Sequence, residues 1–264
     1  MVGLLARTVA LSGLLVSALG RATHRLVDPQ DLVPHAELQN RDASSADHHR
    51  NGPSAAILGL VLAANVTTDT VRDAFYDAKI VPDVLPSFDP TFLLEVNFTN
   101  PGLENSSVIV EPGALLTRNQ TKFLPEFYIS NYTQDDASKT YIVVQVDPDA
   151  HTPQDPDVAQ VRHLLAGNYT TDGDSAGDPL PLFNSSVAVS DWVRPSPPAG
   201  SDPHRYVLLL YPQPENFTVD SIAPLVNASS PITLFNISEF AEATGLGLPV
   251  AGTYFLTGPD ADST

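Results

Sequence analysis

Residues 141–149 read Tyr141-Ile142-Val143-Val144-Gln145-Val146-Asp147-Pro148-Asp149, and this stretch decides the reading of the chain. A short run rich in β-branched and aromatic side chains, free of Gly and Pro, describes a buried strand. The Asp-Pro-Asp that closes it is a turn, because Asp favours turn starts and Pro presets φ. Two carboxylates at a strand end also put titratable groups on a loop held by a rigid scaffold. Working outward, Phe92–Phe98, His163–Tyr169 and Arg205–Tyr211 have the same strand character, and Pro249–Leu256 reads as a closing strand. The 24 prolines are kept out of central strands and helix interiors, so so many imply a loop-rich, mainly β domain.

Two helices interrupt this pattern. Val71, Phe75 and Ala78 recur at helical spacing behind a Thr/Asp start that would cap them. Asn236–Gly245 reads as a short helix, with Asn236 as N-cap, Glu239 as its capping-box partner and Gly245 as the stop. No internal repeat is visible. The simplest division is one domain over 66–258 with a polar tail at 259–264.

The chain has 264 residues, with 13 Lys+Arg against 31 Asp+Glu and a net charge of −18. That balance argues against nucleic acid, whose phosphates need clustered cations, and against anionic lipid surfaces. Zero cysteines exclude disulfides, zinc–thiolate sites and cysteine nucleophiles together. No run is long enough for a transmembrane segment. Residues 1–20 hold one charge, Arg7, followed by the apolar run Val9–Leu19, which reads as a secretory signal peptide. The alternative is an ordinary amphipathic helix. Residues 21–65 form a polar leader, disordered or partly helical; its His24, His35, His48 and His49 leave a metal-binding tract as the sharper alternative.

Ten of the 13 asparagines stand in Asn-x-Ser/Thr, where composition alone would give about two, the acceptor signal for glycosylation. Asn65, Asn97, Asn105, Asn119, Asn131, Asn184, Asn216, Asn227 and Asn236 are read as candidate acceptors. Asn168 is set apart because it belongs to a strand beside the candidate site. Together with the leader this predicts a secreted or extracellular protein, or a vacuolar one.

Polar groups concentrate at three strand ends: Asp147–Pro153, His163, and Ser196–Tyr206. Singly, each has an ordinary structural explanation: a common turn, a satisfied histidine, a stiff Pro-Pro loop. An Asp with two His also suggests a metal site or a hydrolytic triad lacking only its serine. The spacings His-x-His and His-Glu-x-x-His are missing, so neither a metal nor a cofactor is expected.

In combination the residues resemble a known family. Tyr141–Asn168, with Asp-Pro-Asp-Ala, Asp155-Pro156 and His163-Leu164-Leu165-Ala166-Gly167-Asn168, resembles the first signature of phosphatidylethanolamine-binding proteins. Trp192–Tyr211, with Pro-Pro-Ala-Gly and His204-Arg205-Tyr206-Val207, resembles the second. Val81–Pro86 and Pro249–Thr253 are similar to the family's opening and closing segments, and the likeness spans about 66–258. It implies a mainly β fold, with a large central antiparallel sheet, a smaller sheet and a few short helices. It also implies a small anion pocket formed by Asp147, Asp149, His163, Pro198, His204 and Tyr206. The chain departs from the family at His151, where proline is usual, and at Arg194 and Ser196, where glycine is frequent; these three are possible rim residues.

The expected function is a secreted, non-enzymatic binding protein for phosphate-bearing ligands such as phospholipid head groups. Convergent imidazoles would supply donors, and a buried carboxylate would fix a tautomer. The alternative is a protein-interaction regulator or an inhibitor of a serine carboxypeptidase-type protease. A hydrolase is the least favoured reading, because the sequence shows no activated nucleophile beside His163 or His204.

Overall fold

The computed structural model describes residues 66–171 and 179–260. The signal-peptide and leader readings, Asn65 and residues 261–264 of the tail lie outside the described residues. Nine strands are described: β1 (Leu93–Thr99), β2 (Ser107–Ile109), β3 (Ala114–Leu115), β4 (Glu126–Ser130), β5 (Tyr141–Asp147), β6 (Val161–Thr170), β7 (Leu180–Asn184), β8 (His204–Pro212) and β9 (Ala251–Thr257). Five short helices accompany them: α1 (Thr68–Asp77), α2 (Ile80–Asp83), α3 (Gln134–Ala137), α4 (Val219–Ile222) and α5 (Ile237–Thr244). The fold is mainly β, as the sequence implies.

The strands follow the order β2-β1-β4-β7-β6-β5-β8-β9-β3. Strand β7 pairs with β4 through Leu180 and Leu182 and with β6 through Phe183 and Asn184. It therefore joins a small group, β2-β1-β4, to the larger group β6-β5-β8-β9-β3. The large-sheet and small-sheet expectation holds, with two amendments: one ladder connects them, and β3 joins β9 in parallel.

Alternation along β5 and β8 divides the core. Tyr141, Val143, Tyr206, Leu208 and Leu210 belong to the cluster that includes Phe127 and Ile129 of β4. Ile142, Val144, Val146, Val207, Leu209 and Tyr211 belong to the cluster that includes Phe75 of α1 and Phe240 of α5. Both faces of the central strands are covered. That is why residues 141–146 read as an unbroken apolar run rather than as alternation.

The helices pack as their sequences require. Thr67 caps α1 and forms a capping box with Thr70, while Val71 and Phe75 are buried. Phe75 stacks on Phe88 at 4.1 Å and meets Tyr254 edge-on at 5.8 Å. Gly252 permits this approach: a Cβ there would lie 2.8 Å from the Leu208 carbonyl and 3.2 Å from the Phe75 ring. Helix α5 starts at Asn236, whose Oδ1 accepts from the Ser238 and Glu239 N–H groups, and stops at Gly245 with φ 71°. Glu239 does not reach back to the Asn236 backbone as a capping box would; its Oε1 accepts from Asn236 Nδ2 at 2.9 Å.

Candidate functional site

Four strands deliver the site. β5 ends at Asp147, β8 begins at His204, and β9 ends at Thr257, opposite His204. β6 carries His163 at a register irregularity: Gln145 faces Leu164 and Val146 faces Arg162, leaving His163 as the extra residue. Bulges of this kind re-aim a side chain, and they gather near functional sites.

Asp147, His163, His204 and Tyr206 come together, each no more than 5% exposed. Asp147 Oδ2 lies 2.8 Å from His204 Nδ1 and 3.9 Å from His163 Nε2. Its Oδ1 accepts the Asp149 N–H at 2.8 Å, which fixes the carboxylate plane. His163 Nδ1 donates to the Val193 carbonyl at 2.6 Å. In the neutral ring Nε2 is therefore a bare acceptor facing Asp147. Burial pushes the His163 pKa down, against the Val193 bond and the Asp147 charge, which pull it up. Tyr206 meets His163 edge-on at 5.1 Å and lies parallel to His204 at 6.3 Å. Burial first, and the Asp147 charge second, push the Tyr206 phenol up, so it stays protonated.

The other ring nitrogen of His204 has a partner that the sequence did not reveal. Ser201 Oγ lies 2.9 Å from His204 Nε2. Ser201 is 9% exposed and sits in a turn whose N–H bonds the Pro198 carbonyl at 3.2 Å, after Gly200 with φ 80°. Its hydroxyl is also 2.8 Å from the Asp202 carbonyl. Ser201 lies inside the Trp192–Tyr211 stretch but is not among the residues that carry its resemblance; the three-residue step back from His204 was the available signal.

Asp149 is buried but turns away from the histidines. Its Oδ2 accepts from Arg205 N at 2.7 Å and Nε at 2.9 Å, and its Oδ1 from a terminal nitrogen of Arg205 at 2.7 Å. Arg205 also donates to the Ala78 carbonyl and to Asp83. Burial works to lower the Arg205 pKa, but Asp149 and Asp83 outweigh it and the net direction is up. This is a clamp between β8, the turn after β5 and the α1–α2 corner.

The rim candidates lie outside the cluster. His151 is exposed and holds Asp157 at 2.7 Å, keeping that carboxyl below its usual range. Arg194 is exposed and forms no ion pair among the described residues. Ser196 is exposed, while its backbone bears on the Tyr206 hydroxyl. Pro198 faces outward, and its neighbour Pro197 is the buried one. Arg118, also unforeseen, carries a charge that reaches Tyr206 and pairs with Asp260 at 3.1 Å. Among the described residues no group of three or more His, Asp or Glu side chains is placed to hold a metal ion, and no helix is long and apolar enough to cross a membrane.

The fold and cluster define a mainly β protein with a small polar site at the ends of its central strands. Residues 106–255 match the family model described as phosphatidylethanolamine-binding protein. Protein TWIN SISTER of FT from Arabidopsis thaliana is 31% identical over 185 residues, 70% of this chain and 90% of the relative. Protein FLOWERING LOCUS T from the same plant is 29% identical over 186 residues, with the same shares. Among solved structures, the carboxypeptidase Y inhibitor, complexed with the cognate proteinase, superposes with a TM-score of 0.60 at 21% identity, over 75% of this chain and 98% of that one. A phosphatidylethanolamine-binding protein from Plasmodium vivax gives a TM-score of 0.54 at 16% identity, over 72% and 98%. The chain belongs to the phosphatidylethanolamine-binding protein family.

Proposed function

We propose that this chain is a binding module that holds a small phosphate-bearing anion, such as a phospholipid head group, against Asp147, His163, His204 and Tyr206, and that it acts by binding rather than by turnover. The observation that carries the reading is the pair of buried imidazoles sharing one carboxylate oxygen, at 2.8 and 3.9 Å. Neutral His163 offers an acceptor; a proton on Nε2 converts it to a charge-assisted donor. Since burial depresses that ring's pKa, binding strengthens as pH falls below the ordinary histidine value. The family name supports the ligand class. Asp149 serves this site by holding the turn, and Pro198, His151, Arg194 and Ser196 belong to its surroundings.

Calorimetry with phosphoethanolamine at pH 5.5 and pH 8, beside His204→Ala, tests the reading. Saturable binding at pH 5.5 that weakens at pH 8 and disappears in the variant is expected. No heat from a folded sample at pH 5.5 would overturn it.

A second reading has its own support, the likeness to the carboxypeptidase Y inhibitor. Here the protein would block a serine carboxypeptidase, and an inhibition assay at excess protein decides. Export through a glycosylating compartment fits both readings, with residues 1–20 removed as a signal peptide and a secreted, extracellular or vacuolar destination. Asn105, Asn119, Asn131, Asn184, Asn216, Asn227 and Asn236 are exposed and Asn97 is half-buried, as favours acceptor sites. Asn168 is set apart because it lies within β6, half-buried, with its side chain bonded to Ser186 and to Gln213 of the neighbouring segment. Intact mass before and after enzymatic deglycosylation reads the occupancy.

A further inference from the structure

We propose that Ser201 is a nucleophilic serine, activated by His204 and oriented through Asp147, that takes an acyl group from small carboxylic esters. This goes beyond binding but not to turnover: the step is a single acylation that leaves the acyl group on the serine, and it does not depend on whether an anion occupies the site. The distances form a hydrogen-bonded chain of nucleophile, base and orienting carboxylate: Ser201 Oγ to His204 Nε2 at 2.9 Å, and His204 Nδ1 to Asp147 Oδ2 at 2.8 Å. Such a constellation is recognised by geometry and roles rather than by the order of residues in the chain.

Each member is held in place. The Asp149 N–H pins Asp147 Oδ1, leaving Oδ2 to face the imidazole. His204 lies in the β8–β9 ladder opposite Thr257 and parallel to the Tyr206 ring. Ser201 is set by the Pro198–Ser201 turn, between Pro197-Pro198 and Pro203. Residues Ala199, Gly200, Asp202 and Pro203 around it are exposed, so the serine lies just under the surface of an open turn. The Asp202 N–H, directly after the serine, donates to nothing among the described residues. Hydrolases with a serine at a tight turn use the N–H at that position to receive the developing oxyanion. The Ser201 proton has two acceptors in reach, the Asp202 carbonyl and His204 Nε2. In the second orientation it is aligned for transfer.

The step balances within these groups and the ester. The Ser201 O–H bond breaks and its proton goes to His204 Nε2. Oγ bonds the ester carbonyl carbon, the carbonyl oxygen moves over the Asp202 N–H, and the ester C–O bond then breaks. The departing alkoxide takes the proton from His204, which leaves acyl-Ser201 and a free alcohol. Asp147 stabilises the transient imidazolium and is a positioning residue.

The test is intact-mass spectrometry of the full chain after incubation with p-nitrophenyl acetate and, separately, with a fluorophosphonate, followed by peptide mapping. One adduct on Ser201 is expected, forming faster at pH 8 than at pH 5. His204→Gln should slow labelling by about 10²–10⁴-fold. Asp147→Asn should alter the pH profile of the labelling rate, which a purely structural role would leave in place. Ser201→Ala should give no adduct. Should that variant fail to fold, Ser201→Cys keeps a nucleophile in position, and its alkylation by iodoacetamide should be faster than that of a free thiol and depend on His204. A folded protein without an adduct on Ser201 at excess reagent, labelling only at other serines, or a rate indifferent to His204→Gln would each overturn the proposal.

Discussion

Asp147 and Asp149 are two residues apart on one turn, both buried to 3% exposure, and they are used in opposite ways. Asp149 faces Arg205, a permanent cation whose planar fork fills both carboxylate oxygens. Asp147 faces two imidazoles, groups that can be either neutral or charged. Tyr206 and Arg205, adjacent in β8, point to opposite faces and carry the division across the sheet. Burial and pairing therefore do not by themselves mark a functional carboxylate. What marks it is a partner whose charge can change.

Breaking the permanent pair should have the largest effect. Arg205→Met leaves Asp149 buried and uncompensated, at a cost of about 3–5 kcal/mol in urea unfolding. The His204 side should respond less in stability and more in function. His204→Ala is expected to cost about 1–3 kcal/mol, for the Asp147 oxygen left without its donor, and to abolish anion binding. If the order of the two stability losses were reversed, Asp147 and not Asp149 would be the structural carboxylate.

The pH dependence sharpens the contrast. The folded pKa of His163 lies below its unfolded value near 6.5, so in that window the unfolded chain binds more protons than the folded one. His163's neutral burial therefore contributes fully above about pH 6.5, and stability is lost as pH falls toward the folded pKa. Chemical unfolding at pH 5 and pH 7.5 should show this loss, and His163→Gln should reduce it. Arg205, whose pKa is raised by Asp149 and Asp83 against its burial, stays charged across this window.

The smallest effect belongs to a buried polar group with no partner. The Tyr211 hydroxyl has none among the described residues, on the face opposite the site, where Tyr211 lines a cavity of about 600 Å³ with Pro82, Gln160 and Leu248. Tyr211→Phe removes no hydrogen bond and relieves an unpaired buried hydroxyl, so it should leave stability unchanged or raise it by at most about 1 kcal/mol.

Most of the frame was legible in the sequence, for identifiable reasons. The central strands are apolar on both faces, so Tyr141–Val146 and Val207–Tyr211 announce themselves without alternation. Helix α5 has its cap and stop written as Asn236 and Gly245. The short edge strands were not legible: β2 and β3 span three and two residues, too few for any period. Asp147, His163 and His204 stood out at the ends of apolar strands, and it was the family resemblance that gathered them with Tyr206 into one pocket. Ser201 was not, because it lies in a Pro- and Gly-rich turn where local composition explains every residue. Likewise the partner of Asp149 sits 56 residues away in β8, a relation only the sheet register creates.

The most direct test of the account follows the imidazole of His163 by NMR, through a pH titration with and without phosphoethanolamine. The ligand should raise the ring's pKa, because a bound anion favours the charged imidazole. Saturable binding that leaves His163 unshifted, or no binding at acid pH, would contradict it.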